Sequence, residues 1–215
     1  MSTSANHSKY VKEFLALSAS SPLSPVLSLT CGTAEDEIFL AQNGLSVYVI
    51  DNDAQKLEQV RLKMAIYKID NLKVLQADIL KPLPLPFRPH TFNSLYWKFG
   101  LHYFSEGQIK QTIIPEMVRA LNPDSVVSII FRYIDVSNVD CSKFEIVGHT
   151  GHKVQFLGKS TGKVRTRYIW DEAAAKGLFA DNFDVISLVT QREELYERFS
   201  NSNNSPVVSL LLKAR

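Results

Sequence analysis

The chain has 215 residues, 45% of them apolar and 21% charged, with a formal net charge of +2. That length suits one domain (1–215) with a substantial core, and the near-balance of charge excludes a partner chosen by net charge alone. Cys31 and Cys141 have no paired spacing, so neither a disulfide framework nor a metal site is expected; with no long apolar stretch or leader pattern, a reduced cytoplasmic setting away from membranes is.

Residues 1–24 open on the polar run MSTSANHS, then carry Tyr10, Val11, Phe14, Leu15 and Leu17 at helical spacing until SSPLSP stops them. This helix either flanks a ligand mouth or only packs. Val26 to Leu29 then reads as a strand that breaks at Thr30-Cys31-Gly32 and passes into Glu35, Asp36, Glu37 and the apolar Ile38 to Ala41. Such strand-to-helix turns are where open α/β sheets hold nucleotides, and Gly32 supplies backbone freedom there. Cys31 suits a small buried filler better than a nucleophile. Thr33 and Asp36 resemble a capping box. Three acids at the start of the helix would repel a pyrophosphate, so a nucleoside without phosphates is expected. The next apolar run, Val47 to Ile50, ends in Asp51, a carboxylate placed to accept both hydroxyls of a ribose.

Ala54 to Tyr67 is a helix by its spacing and Leu72 to Leu75 a third strand; the four prolines of KPLPLPFRPH then make a stiff loop before a fourth strand over Thr91 to Trp97. Lys98, His102 and Tyr103 follow that strand, beyond whose carboxyl end a ligand would lie. Ile109 to Leu121 should be helical with a kink at Pro115, and Ser125 to Phe131 a fifth strand. From 137 to 170 short apolar runs alternate with turns, which predicts a small β-meander. Asp171 caps a helix over Glu172 to Phe179. Phe183 to Val189 and Pro206 to Leu212 are the last two strands, able to pair antiparallel through SNSNNS.

The stretch VLSLTCGTAEDEIFLAQNGLSVYVIDND resembles the first two motifs of class I S-adenosylmethionine-dependent methyltransferases. LQADIL, FNSLYWKFGLHYF and MVRALNPDSVVSIIFRY are similar to later motifs of that family, in the same order. The resemblance implies a Rossmann-like α/β fold: a mixed seven-stranded sheet with helices on both faces, here with a meander insert. It implies S-adenosylmethionine as cofactor, held by Thr30, Cys31, Gly32, Asp51, Asn52, Asp78, Ile79 and Trp97, with Asp78 near the adenine amino group. The chain departs from the family at Ser28, which replaces an acid, and at Thr30 and Ala34, which replace glycines and add a Cβ where the cofactor passes. FRYIDVSNVDCSKF, TGKVRTRYIW and LVTQREELYERF resemble segments of tRNA N3-methylcytidine methyltransferases, which implies an RNA base, tRNA cytidine first, as substrate.

Lys98, His102 and Arg132 are the catalytic candidates on this basis. His102 could act as a base, since an unperturbed imidazole titrates near neutral pH. Lys98 suits a contact better than a base, because an unperturbed lysine is protonated. Tyr103, Lys163, Arg165, Arg167 and Arg192 are candidate substrate contacts. Between Lys143 and Arg167 six basic residues face one acid, Glu145, and alternation puts Lys163, Arg165 and Arg167 on one strand face, a row able to follow phosphates. The rival readings are a small-molecule methyltransferase whose basic row holds an anionic metabolite, and a silent methyltransferase-fold subunit that binds RNA or activates a protein partner. A nicotinamide-dependent Rossmann enzyme is disfavoured by the acidic helix start.

Overall fold

A computed structural model describes residues 8–20, 22–81, 84–132, 144–192 and 206–215, with only the backbone at Gln191, Arg192 and Pro206. The strands in chain order are β1 (Val26–Leu29), β2 (Val47–Asp51), β3 (Leu72–Gln76), β4 (Phe92–Lys98), β5 (Leu121–Arg132), β6 (Phe144–Thr150), β7 (Lys153–Gly158), β8 (Val164–Tyr168), β9 (Phe183–Arg192) and β10 (Pro206–Ala214). Seven of them form one sheet in the order β3-β2-β1-β4-β5-β10-β9. β1 to β5 run parallel, and β10 runs antiparallel to both β5 and β9. This is the mixed seven-stranded sheet expected. β6, β7 and β8 form the expected meander as a separate antiparallel sheet.

Both faces of the central parallel strands β1 and β4 are largely buried, as crossover helices require, while the edge strand β3 exposes Lys73 and Gln76. On one face, Val26, Val47, Val49 and Tyr96 pack under α1 (Lys9–Ala16), α2 (Glu35–Gln42) and α3 (Ala54–Tyr67), through Val11, Phe14, Ile38, Leu40 and Val60. On the other, Leu27, Leu29, Leu95 and Trp97 pack under α4 (Glu106–Gln108), α5 (Ile114–Ala120) and α6 (Glu172–Phe179), joined by Ile109, Ile113, Met117 and Phe179. Alternation along each strand feeds the two cores in turn.

The helical run from Glu106 to Ala120 begins earlier than its apolar spacing suggests, because Ser105 and Gln108 form a capping box. The expected kink near Pro115 takes the form of a π-helical segment over Ile109–Ile113, just before the residue that lacks an N–H. The proline loop has no regular element over its described residues and is tied down by Arg119. That guanidinium donates to the carbonyls of Phe87 (2.7 Å) and Leu85 (3.0 Å) while pairing with Glu116. No helix among the described residues is long and apolar enough to cross a membrane.

Candidate active site

The strand order reverses between β1 and β4, and a cleft opens beyond the carboxyl ends of the strands at such a point. A cavity of about 730 Å³ lies there, within the usual range for cofactor-sized ligands. Its wall comes from the ends of β1, β2, β4 and β5 and from the turns after them. Thr30, Cys31, Gly32, Asp51, Asn52, Asp78 and Ile79 line it, together with Lys98, Tyr103 and Arg132. Ten candidates spread over 103 positions of sequence are thus brought around one space. Phe99, Lys56 and Phe104 also line it and were not singled out from the sequence.

Asp51 holds the turn together. It is 7% exposed, and its Oδ2 accepts the Gly32 N–H at 3.0 Å while Oδ1 accepts the Asp53 N–H at 2.9 Å. A carboxylate offers about four acceptor positions, so capacity remains for two ribose hydroxyls. The residues present therefore fit a nucleoside. Gly32 has φ +57° and no protein atom near its Cβ position, so the glycine is required by the torsion and not by protein crowding.

Six non-glycine residues among those described have positive φ, and three of them, Thr30 (53°), Ala34 (55°) and Phe99 (55°), line this cavity. Strain in that region concentrates at functional sites. Thr30 and Ala34 stand where the family resemblance puts glycine, and they keep a glycine-like backbone despite their side chains. Ala34 is the N-cap of α2 and makes no side-chain cap, so the expected capping box of Thr33 and Asp36 does not form. Thr30 Oγ1 instead accepts the Trp97 indole N–H at 3.0 Å. Trp97 is fully buried and does not line the cavity; its expected cofactor contact is corrected to support of Thr30. Gly100 permits this bond, since a Cβ there would fall 2.0 Å from Trp97 Nε1 and 2.1 Å from Thr30 Oγ1.

The acidic helix start is not three unpaired carboxylates. Glu35 pairs with Lys63. Asp36, 5% exposed, accepts from Lys98 Nζ (2.5 Å), the Tyr96 hydroxyl (2.8 Å) and the Ser8 hydroxyl (3.1 Å). Glu37 is buried and accepts the Ser28 hydroxyl at 2.6 Å; burial first, and then the charge of Asp36, push its pKa up to about 7. The carboxylate absent at Ser28 is thus replaced from α2 by Glu37, and most of the turn's charge is neutralised internally. The electrostatic case against a pyrophosphate weakens accordingly. No α1 residue lines the cavity: α1 packs on α2 and reaches the site only through its N-cap Ser8. Burial drives the Cys31 thiol far above its ordinary range, so it is no nucleophile. No cluster of metal-ligating side chains occurs among the described residues.

Residues 26–124 match the methyltransferase domain family. Over those residues the chain resembles a methyltransferase domain, and its seven-stranded sheet is that of the Rossmann-like methyltransferase fold. A comparison with curated proteins found no match. Among solved structures, the PH0226 protein of Pyrococcus horikoshii OT3 superposes with a TM-score of 0.74 at 15% identity, covering 99% of this chain and 94% of that one. An S-adenosylmethionine-dependent methyltransferase of Methanosarcina mazei follows at 0.70 and 15%, covering 88% and 91%. The N-methyltransferase NodS of Bradyrhizobium japonicum, solved with S-adenosyl-L-homocysteine, superposes at 0.65 and 13%, covering 96% and 85%. These likenesses are likenesses of fold.

In this fold the expected base is misplaced. His102 does not line the cavity, and burial, with Arg167 and Arg132 nearby, pushes its pKa down to about 3. It is neutral at physiological pH and a weak acceptor, which corrects the expectation that it titrates near neutrality. Lys98 is bonded to Asp36, which suits a fixed cation better than a base. On the meander, Arg165 and Arg167 stand opposite Phe156 and Val154, the buried side of β7. Directly opposed residues share a face, so both arginines lie on the side of the small sheet that carries Phe156 and Val154; Arg165 is exposed there and Arg167 is partly buried. Lys163 precedes β8 and is exposed. The Arg167 guanidinium lies over the ring of Tyr103, its carbon 4.4 Å from the centroid, and so reaches the cavity rim. Arg192 ends β9, and its side chain lies outside what the structure describes.

Proposed function

We propose that this chain binds S-adenosylmethionine in the cavity and methylates a small molecule at its β4–β5 end. The observation that carries the reading is Asp51, buried at the tip of β2, bonded to the Gly32 amide and facing a cavity at the reversal of strand order. The cofactor supplies an electrophilic methyl group on a sulfonium that leaves neutral. Alignment is then the main demand on the protein, and no base of tuned pKa is needed. Asp51 would hold the ribose and Asp78 the adenine, with Thr30 to Gly32 alongside the methionine portion. Tyr103, Phe99 and Arg132 would contact the acceptor. Calorimetric titration with S-adenosylmethionine and with NADH, followed by a methyl-transfer assay over small acceptors, tests this. Binding of NADH alone would overturn it.

An RNA base, with tRNA cytidine first, is the second reading, supported by the later-motif resemblance and by the six basic residues between Lys143 and Arg167. The placement of partly buried Arg167 over Tyr103, apart from exposed Lys163 and Arg165, favours a compact acceptor over a phosphate track. RNA affinity that falls steeply with salt, and a salt slope flattened by replacing Lys163, Arg165 and Arg167 together, would reverse that order. A silent subunit that acts through a protein partner predicts cofactor binding without turnover.

A further inference from the structure

Two arginines of the exposed surface have carboxylate partners, whereas two less exposed ones do not. Arg61 pairs with Glu58 and Arg215 with Asp184, with half of each arginine side chain in solvent. Arg132 and Arg167 are only partly exposed, yet neither has an ion-pair partner among the described residues. Burying a guanidinium without an anion is costly unless a ligand supplies the charge. Each lies over an aromatic ring at the same end of the cavity: the guanidinium carbon of Arg132 is 4.8 Å from the Phe99 ring centroid and that of Arg167 4.4 Å from the Tyr103 ring centroid. Phe99 and Tyr103 line the cavity, as does Arg132. Between the arginines, His102 lies against Tyr103 with ring centroids 4.2 Å apart, and its buried Nδ1 has no hydrogen-bond partner among the described residues. The acids Asp51, Asp78 and Glu37 line the opposite part of the wall.

We infer that Arg132 and Arg167 form the recognition site for a small planar acceptor carrying a carboxylate or phosphate group, with its body against Phe99 and Tyr103. The inference deepens the small-molecule reading and rests on it. The ring beneath each guanidinium restrains it, and a planar fork matches a two-oxygen anion better than a flexible ammonium would. The meander has a role in this arrangement. β8 carries Arg167 to Tyr103, and the Trp170 indole N–H, just beyond β8, donates to the Leu101 carbonyl at 3.3 Å, fastening the meander to the loop after β4.

The test uses the full chain with benzoate, phenyl phosphate, benzamide and benzylamine as probes. Binding is followed by calorimetry and by NMR of the His102 imidazole and arginine Nε–H signals. S-adenosylhomocysteine is titrated into the same samples as a separate reading of the cofactor site. Benzoate or phenyl phosphate should bind about tenfold or more tightly than neutral benzamide and shift the His102 signals; the tighter anion tells carboxylate from phosphate. Arg132→Gln and Arg167→Gln should each weaken the anion by about tenfold, and the control Arg165→Gln, a nearby loss of the same charge, by less than about twofold. Should a glutamine variant fail to fold, Arg132→Lys and Arg167→Lys keep the charge, lose the fork and should give an intermediate loss. Equal binding of benzoate and benzamide overturns the inference. So does Arg165→Gln acting as strongly as Arg167→Gln, or oligouridylate displacing benzoate with equal dependence on both arginines, which marks a nucleic-acid track. Anion binding without S-adenosylhomocysteine binding would remove the cofactor reading and leave the anion site standing.

Discussion

The two ends of the cavity differ in sign and in how they are assembled. The cofactor end is acidic and local: Gly32, the α2 acids and Asp51 come from one β-turn-α-β stretch, and their side chains bond mostly to one another or to cations nearby. The other end is basic and aromatic, and it gathers Phe99, Tyr103, Arg132 and Arg167 from the turn after β4, from β5 and from the meander. One end satisfies its charge within the protein and the other does not. That contrast teaches where specificity resides, since internally compensated groups build a site and uncompensated ones wait for a ligand.

Lys98 joins the two ends, and breaking it should have the largest effect. Its side chain is 15% exposed and that of Asp36 6% exposed, so Lys98→Met leaves a buried carboxylate with only the Ser8 and Tyr96 hydroxyls. The expected loss in urea denaturation at neutral pH is about 3–5 kcal/mol, the cost of orphaning one member of a buried pair. Adding Asp36→Asn should recover part of it. A loss below about 1 kcal/mol would show that the pair behaves as a surface bridge.

Next in size is a pH effect with two opposing parts. The folded pKa of Glu37 is raised from 4.5 to about 7, so its contribution to stability is full below about pH 4.5 and is lost as pH rises through 7. That amounts to about 3 kcal/mol at about 1.4 kcal/mol per unit. The folded pKa of His102 is lowered from 6.5 to about 3, so its contribution is present above pH 6.5 and is lost as pH falls toward 3. Between 4.5 and 6.5 the two slopes oppose each other. Glu37→Gln should therefore make stability climb with pH across that window relative to wild type, and His102→Gln should make it fall. Parallel profiles for the two variants would contradict both assignments.

Asp51→Ala should weaken S-adenosylhomocysteine by one to two decades, from the loss of charge-assisted hydrogen bonds of about 1.5–3 kcal/mol. The turn should loosen as well, because the Gly32 and Asp53 amides lose their acceptor. Asp51→Asn keeps an acceptor for one of them and should lose less. An unchanged affinity in the alanine variant would remove the nucleoside site.

Much of the fold was legible because its signals are local. Period-two runs placed the seven strands of the main sheet, the Thr30-Cys31-Gly32 break placed the cofactor turn, and turn residues marked the meander. The compensation of charge was not legible, because Lys98 reaches Asp36 across 62 positions and Ser8 reaches it across 28. Alternation put Arg165 and Arg167 on one face correctly but could not say that Arg167 is partly buried over Tyr103 while Arg165 stays exposed. His102 was misjudged for the same reason: nothing near it in sequence announces Arg132 and Arg167. Glu37 left one signal, an acid one helical turn from the mouth while Ser28 stood where an acid was expected.

The smallest effects belong to the turn between the two ends, where Thr30 and Ala34 both hold left-handed torsions. An L-residue there carries roughly 1–2 kcal/mol of strain that glycine would relieve. For Ala34 the relief is offset by the greater freedom of glycine in the unfolded chain, about 0.4–1 kcal/mol, and by the loss of a fully buried methyl group. Ala34→Gly should thus lie between neutral and about 1 kcal/mol more stable. Thr30→Gly relieves comparable strain but removes the acceptor of the buried Trp97 N–H, and an unsatisfied buried donor costs about 1–3 kcal/mol. Urea midpoints should therefore order the chains as Ala34→Gly, wild type, Thr30→Gly, from most to least stable. A reversed order would mean that Trp97 finds another acceptor and that torsional strain alone governs the turn.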